Sequence, residues 1–237
     1  SGCPPDRRPC LHAERTHPTT TLRQSKLFAM SLLSTDTAHR ALMRVMRHHA
    51  PRSDLSTHTV ANQSEPLVGV NWYADDAMLK SALSRNGADV HAERLSSMGA
   101  EVGSDGVQDL ARMANENPPR FKPFDRFGHR IDEVEFHPAY HALMELGLGH
   151  GVSSAAWTVE QAPHSLHAAL LMLMGTADAG VCCPQSMTYA CVPALRKSDW
   201  TGPWIQGVTA GRYDPRFLPP EEKVGLTLGM AMTEKQG

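Results

Sequence analysis

The chain has 237 residues, 41% of them hydrophobic and 20% charged, which is enough for one or two packed domains. Composition excludes a membrane span: the longest apolar candidate, Ala168–Ala177, is far short of about 18 residues and is followed by Asp178. Five cysteines, two of them vicinal (Cys182 and Cys183), exclude a secreted disulfide framework, so an intracellular protein is expected.

The net charge of −2 is unevenly spread. Residues 1–57 hold nine Lys/Arg against four Asp/Glu, and residues 58–237 hold fourteen against twenty-one. Residues 1–29 are rich in Pro, Thr and Arg without an apolar period, and read as disordered. After Met30, the stretch Asp36–His49 places Ala38, Leu42, Val45, Met46 and His49 at helical spacing, with Arg40, Arg44, Arg47 and His48 on the other face. An acid-poor, Arg-rich amphipathic helix is the pattern of an organelle transit peptide; a solvated helix or translated non-coding sequence fits as well. The compartment therefore stands open between cytoplasm and mitochondrial matrix. The chain begins on Ser, so Met30, Met43 and Met46 are candidate internal starts.

From Thr57 the pattern becomes that of a helical domain. Asp75 or Asp76 opens a helix through Met78, Leu79, Ala82 and Leu83, closed by Asn86-Gly87. A second runs through Leu95, Met98 and Val102. Ser104 caps a third, with Val107, Leu110, Ala111 and Ala114 inward, and Pro118-Pro119 stops it. The stretch 120–136 changes period, with a turn at Asp125–Gly128, and reads as a small hairpin. Pro138 starts a helix with Tyr140, Leu143, Met144 and Leu148 on one side. His164–Gly180 is apolar nearly all round and is expected to be a central helix. Gln185–Lys197 reads as a further helix, bent or ended near Pro193. Residues 198–222 read as loop-rich, with Tyr213–Glu222 the clearest loop, and Val224–Met232 as strand-like, leading into the turn Thr233–Gly237.

Several stretches, in order, carry a resemblance: Thr57–Leu67, Leu110–Arg120, Ile131–Met144, Cys183–Leu195, Arg212–Pro220 and the final "GMAMTEKQG". Over roughly residues 57–237 the chain resembles the acyl-CoA dehydrogenase superfamily, and within it the AidB-type alkylation-response flavoproteins. Residues 1–56 resemble nothing recognised. The resemblance implies a mainly α fold: a basic tail (1–56), an N-terminal helical domain of acyl-CoA dehydrogenase type with a small hairpin (57–222), and the first strand of a flavin-binding β-domain (223–237). Family members continue with Gly-Ser-Asp, a β-barrel domain and a C-terminal helical bundle that carries the catalytic Glu. The chain is therefore expected to be an N-terminal fragment, inactive alone and without a catalytic residue of its own.

The same resemblance implies FAD as cofactor, with Met232 and Thr233 against the isoalloxazine and Glu234, Lys235, Gln236 and Gly237 continuing the cradle. Backbone N–H groups and a Thr hydroxyl suit a flavin edge, which presents carbonyl acceptors and ring nitrogens. Lys235 and Thr188 are candidates for the acyl channel; for Thr188, a satisfied buried hydroxyl is the competing role. Implied partners are an acyl-CoA-like substrate, copies of the same chain in a tetramer, and DNA only through the C-terminal bundle. The acidic balance of residues 58–237 is wrong for a phosphate-contacting surface.

His137 and His141 stand at a metal-ligand spacing, but no third ligand is suggested and His137 precedes Pro138 at a helix entrance. Cys182, Cys183 and Cys191 read as packing residues. No Gly-rich phosphate loop follows a strand, so no Rossmann site is expected. The alternative functions are a helical interaction or oligomerisation module without chemistry, and a nucleic-acid binder acting through the basic tail.

Overall fold

The computed structural model describes residues 67–231 and residue 235. The amphipathic stretch Asp36–His49, the start of the resemblance at 57–66, and residues 232–234, 236 and 237 lie outside the described residues. Among those described, the chain forms α1 (Ala77–Arg85), α2 (Ala92–Val102), α3 (Asp105–Glu116), the hairpin β1 (Arg120–Phe124) and β2 (Arg130–Glu135), α4 (Pro138–His150), the short α5 (Ala155–Thr158), α6 (Pro163–Ala177), α7 (Ala179–Leu195) and α8 (Gly202–Val208).

The helix starts follow from side-chain capping. Asp76 caps α1, accepting from the Leu79 amide at 2.8 Å, and Ser104 caps α3 through the Val107 amide. At α4, the ring of His137 takes the cap role, Nδ1 accepting from the Ala139 amide, with Pro138 in the first turn. Gly151 ends α4 at φ 84°, the left-handed geometry that favours glycine. The last carbonyl of α4 is held by the Arg94 guanidinium from α2, and the His150 ring meets Glu101 at 2.7 Å. Together these tie the end of α4 to the side of α2.

Helix α6 is central, as its all-round apolarity predicts. It packs against α1 through α5 and against α7, and buries Leu166, Ala169, Leu170, Leu173 and Met174. Burying each large apolar side chain contributes about 1.5–3 kcal/mol. The core continues through Leu95, Met98 and Val102 of α2 and Leu143, Met144 and Leu148 of α4.

The hairpin is a two-stranded antiparallel sheet with Phe121 opposite Val134. Asp125 closes its turn, its carboxylate accepting from the amides of Phe127 and His129. The register shifts between Lys122 and Phe124, where Asp132 at φ 48° is the extra residue of a bulge.

Two boundaries and one short helix depart from the sequence reading. The expected helix His164–Gly180 ends at Ala177, because Asp178 is extended (φ −151°, ψ 117°) and caps α7 through the Val181 amide. Helix α7 then begins six residues before Gln185, with Pro184 inside it. The bond Pro184 cannot make belongs to the carbonyl of exposed Gly180, where water can replace it. Pro193 also lies inside the helix, and the carbonyl it leaves free, that of Tyr189, accepts from the Trp157 indole at 3.2 Å. Within the loop-rich stretch 198–222, Asp199–Thr201 is a 3-10 turn that leads into the short α8, which the sequence reading did not foresee, with Pro203 in its first turn. Residues 224–231 pair with no strand among the described residues and lie along the helical body.

Candidate functional site

The segment 224–231 meets the helical body with a period of two, because successive amides of an extended chain point to opposite sides. Val224 N–H donates to Oδ2 of Asp214 at 3.0 Å, and Leu226 N–H to the Gly207 carbonyl of α8 at 3.1 Å. Leu228 N–H donates to Oγ1 of Thr188 at 3.1 Å, and Met230 N–H meets the thioether of Met187 at 3.3 Å. The alternate amides of Thr227 and Gly229 point the other way and have no hydrogen-bond partner among the described residues. Two glycines make the close approach possible. A Cβ on Gly225 would collide with the Arg212 carbonyl, and one on Gly207 would meet the Leu226 side chain at 2.6 Å.

Thr188 is fully buried on α7, and its hydroxyl is used on both sides: it donates to the Pro184 carbonyl at 2.8 Å and accepts from Leu228. The neighbouring Gln185 is also fully buried, packed against the Gly147 backbone, and its Oε1 has no partner among the described residues. Lys235 is exposed in a turn, and Met232, Thr233, Glu234, Gln236 and Gly237 lie outside the described residues. Of the sequence-predicted site residues, the structure thus joins Thr188 to the segment that precedes Met232.

At the near end of this segment is a buried acid. Asp214 accepts from the Arg216 guanidinium at 2.8 and 2.6 Å and from the amides of Arg216 and Val224. The hydrogen bond from Arg216 holds its carboxyl well below the usual carboxylate range. Beside it, burial pushes the Tyr213 hydroxyl up and the His141 imidazole down, so both are neutral near pH 7. The two lie 2.7 Å apart through Nδ1, the donor depending on the tautomer. Phe136 stacks on Tyr140 with ring centres 4.3 Å apart, completing an aromatic wall beside His141. His137 and His141 are therefore engaged separately, one in a helix cap and one on Tyr213. Among the described residues, no group of three or more His, Cys, Asp or Glu could hold a metal ion.

A second cluster lies on the other side of α7. Tyr189 stacks on His167 at 3.6 Å and on Trp157 at 5.1 Å, and its hydroxyl lies 2.9 Å from Nδ1 of His164. His167 is buried and its Nδ1 lies 2.6 Å from the Val152 carbonyl; burial lowers its pKa. Burial likewise raises the Cys182 and Cys191 thiols, which keeps them protonated and poorly nucleophilic.

Sequence reasoning missed Asp214, Arg216, Met187 and Gly207. For Asp214 a signal exists: Asp followed by Pro, with Arg two residues on, suits an Asx-type turn closed by an ion pair. For Gly207 and Met187 none exists, since each is used through a backbone or thioether acceptor.

Comparison with known proteins agrees with this architecture. AidB of Escherichia coli (strain K12) is 40% identical over 189 residues, which is 76% of this chain and 34% of that protein. Acyl-CoA dehydrogenase family member 11 of Caenorhabditis elegans is 28% identical over 174 residues, 70% of this chain and 28% of that one. The chain thus spans about a third of the length of the curated relatives it matches. The crystal structure of Caenorhabditis elegans ACDH-11 in complex with C11-CoA superimposes with a TM-score of 0.62 at 25% identity, over 80% of this chain and 32% of that one. The apo form of Bd2924 gives 0.63 at 23% identity, over 74% and 35%, and shows the fold alone. Residues 62–215 match the family described as the adaptive response protein AidB N-terminal domain, and the chain belongs to that family.

Proposed function

We propose that the chain is the N-terminal helical part, with the first flavin-contacting segment, of an FAD-dependent oxidoreductase of acyl-CoA dehydrogenase type. The observation that carries this reading is the anchoring of residues 224–231, which delivers the chain along α7 and α8 to Met232. The residues present suit a flavin. On the outward side the Thr227 and Gly229 amides are unpartnered among the described residues, and a Cβ on Gly229 would meet nothing within 4 Å, so a flat ring can approach the backbone there. In this reading Met232, Thr233, Glu234, Lys235, Gln236 and Gly237 hold FAD through backbone N–H groups and the Thr233 hydroxyl, and the division falls near residue 223. Bound FAD would take up the two electrons released when an acyl thioester is desaturated. The substrate is an acyl-CoA, a class supported by the C11-CoA bound to ACDH-11. Lys235, exposed in its turn, is the residue offered to the acyl channel; Thr188 is buried and fully hydrogen-bonded, and serves the segment rather than the substrate. A role in DNA alkylation response, with DNA held by regions other than this acidic one, belongs to the same reading. The absorbance spectrum of the purified gene product tests it: a flavin band bleached by acyl-CoA is expected, and a colourless protein that takes up no FAD contradicts it.

A second reading, self-association, is supported by the hairpin. Phe121, Phe124, Phe127 and Val134 are each at least half exposed on this one hairpin, and exposed aromatic side chains gathered on one element suit a protein contact. Residues 120–135 hold four Lys/Arg and four Asp/Glu, so a second copy meets no net repulsion. Sedimentation of Phe121→Ser/Phe124→Ser against the parent tests it, a smaller assembly being the expected outcome and an unchanged one the contradiction.

A further inference from the structure

The extended segment is pinned by few groups, and one of them is a side chain in the core of the helical body. Among the described residues two side-chain oxygens accept from the segment's inward amides, Oδ2 of Asp214 at Val224 and Oγ1 of Thr188 at Leu228, and Thr188 is the one nearer Met232 in the chain. Leu226 uses a backbone carbonyl, and Met230 meets a thioether, which is a weak acceptor. The Thr188 hydroxyl cannot turn away, because its proton is committed to the Pro184 carbonyl. Its remaining lone pairs face the segment from a fixed point on α7. A slip of one residue would offer Thr188 the amide side of Thr227 or Gly229 and reverse every side chain that follows. The next residues in line are Met232 and Thr233, four and five positions beyond Leu228.

We infer that Thr188 is a positioning residue: its buried hydroxyl fixes the register of residues 224–231, and thereby which of residues 232–237 present their amides to the flavin. The inference rests on the flavin reading above. Asp214 serves the same end from the other side, holding the Val224 amide while Arg216 keeps its carboxylate ionised and in place. The chemistry asked of Thr188 is specific. Valine keeps the shape but has no acceptor; serine keeps the acceptor and loses a methyl group.

The test has two readouts. In the 237-residue chain, amide hydrogen exchange at Leu228 should quicken about tenfold in Thr188→Val and stay near the parent rate in Thr188→Ser, since one hydrogen bond of ordinary strength is lost or kept. An unchanged rate in Thr188→Val would overturn the inference without reference to flavin. In the gene product, titration with FAD should show about tenfold weaker binding and a shifted flavin band for Thr188→Val, both restored by Thr188→Ser. Leu228→Pro removes the donated N–H without touching α7 and should weaken FAD to the same degree, so the test stands even if Thr188→Val does not fold. Unchanged FAD affinity in Thr188→Val and Leu228→Pro, beside a weakened Thr233→Val, would overturn the positioning role alone. Unchanged affinity in all three would overturn it together with the flavin site.

Discussion

The Trp157 indole N–H donates to the Tyr189 carbonyl, a backbone group left free by Pro193 four residues later in the same helix. A proline inside α7 is thus compensated by a tryptophan from α5, and the two rings stack at 5.1 Å across the same contact. Trp157→Phe should cost about 1 kcal/mol beyond its packing loss, since the half-buried carbonyl loses its partner. In a Pro193→Ala background, where the helix supplies its own N–H, the same change should cost measurably less. Urea unfolding of the four proteins in this cycle checks it; equal costs in both backgrounds would show that the indole is not the substitute donor.

Asp178 does two tasks with one buried carboxylate. Oδ1 caps α7 through the Val181 amide, and Oδ2 accepts from Asn115 of α3 at 3.0 Å. Asp178→Ala should therefore cost about 2 kcal/mol, about 1 from the cap and about 1 from the bond to Asn115. Asp178→Asn, which keeps the cap oxygen, should recover at least half of that. A cost near zero in denaturant melts of Asp178→Ala would mean that α6 and α7 do not need this hinge.

Stability should fall in two stages on acidification. Burial lowers the folded-state pKa of His141 and His167, so each contributes stability above the ordinary histidine value of about 6.5, lost as pH falls through the depressed folded value. Arg216 lowers the folded-state pKa of Asp214 in the same direction, so its contribution is present above about 3.9 and lost as pH falls through its depressed value. Asp214→Asn should thus be less stable than the parent at neutral pH, with the difference shrinking below the carboxylate range. Calorimetric Tm values across pH check this; a difference independent of pH would mean that the Asp214 charge carries none of the effect.

The helices were legible where a polar cap or a glycine marks an end, as at Asp76, Ser104 and Asn86-Gly87, and where one face is apolar. The central place of α6 follows directly from its lack of a polar face. What misled were residues that act against their local preference. Pro184 stands just before the helix read from Gln185 but lies in the sixth position of α7, tolerated because the Gly180 carbonyl it leaves without a donor is exposed. Asp178 lies between two apolar runs and reads as part of one long helix, yet its side chain ends one and starts the next. The alternation in Val224–Met232 is that of an extended chain, but sequence cannot say what pairs with it. Here the partners are Thr188, Asp214, Met187 and Gly207, scattered over residues 187–214 and brought together only by tertiary packing. Thr188 was visible both as a channel candidate and as a satisfied buried hydroxyl; that the amide it holds is that of Leu228 was not.

The proposed function rests most directly on residues 232–237 holding a flavin. The most direct measurement is the FAD dissociation constant of the gene product and of its Thr233→Val variant, read from flavin fluorescence. The substitution removes a hydroxyl while nearly preserving volume. Unchanged helical content and FAD binding weakened by about tenfold, the worth of one hydrogen bond, are expected. Equal affinity and an identical flavin spectrum in the two proteins would contradict the proposed function.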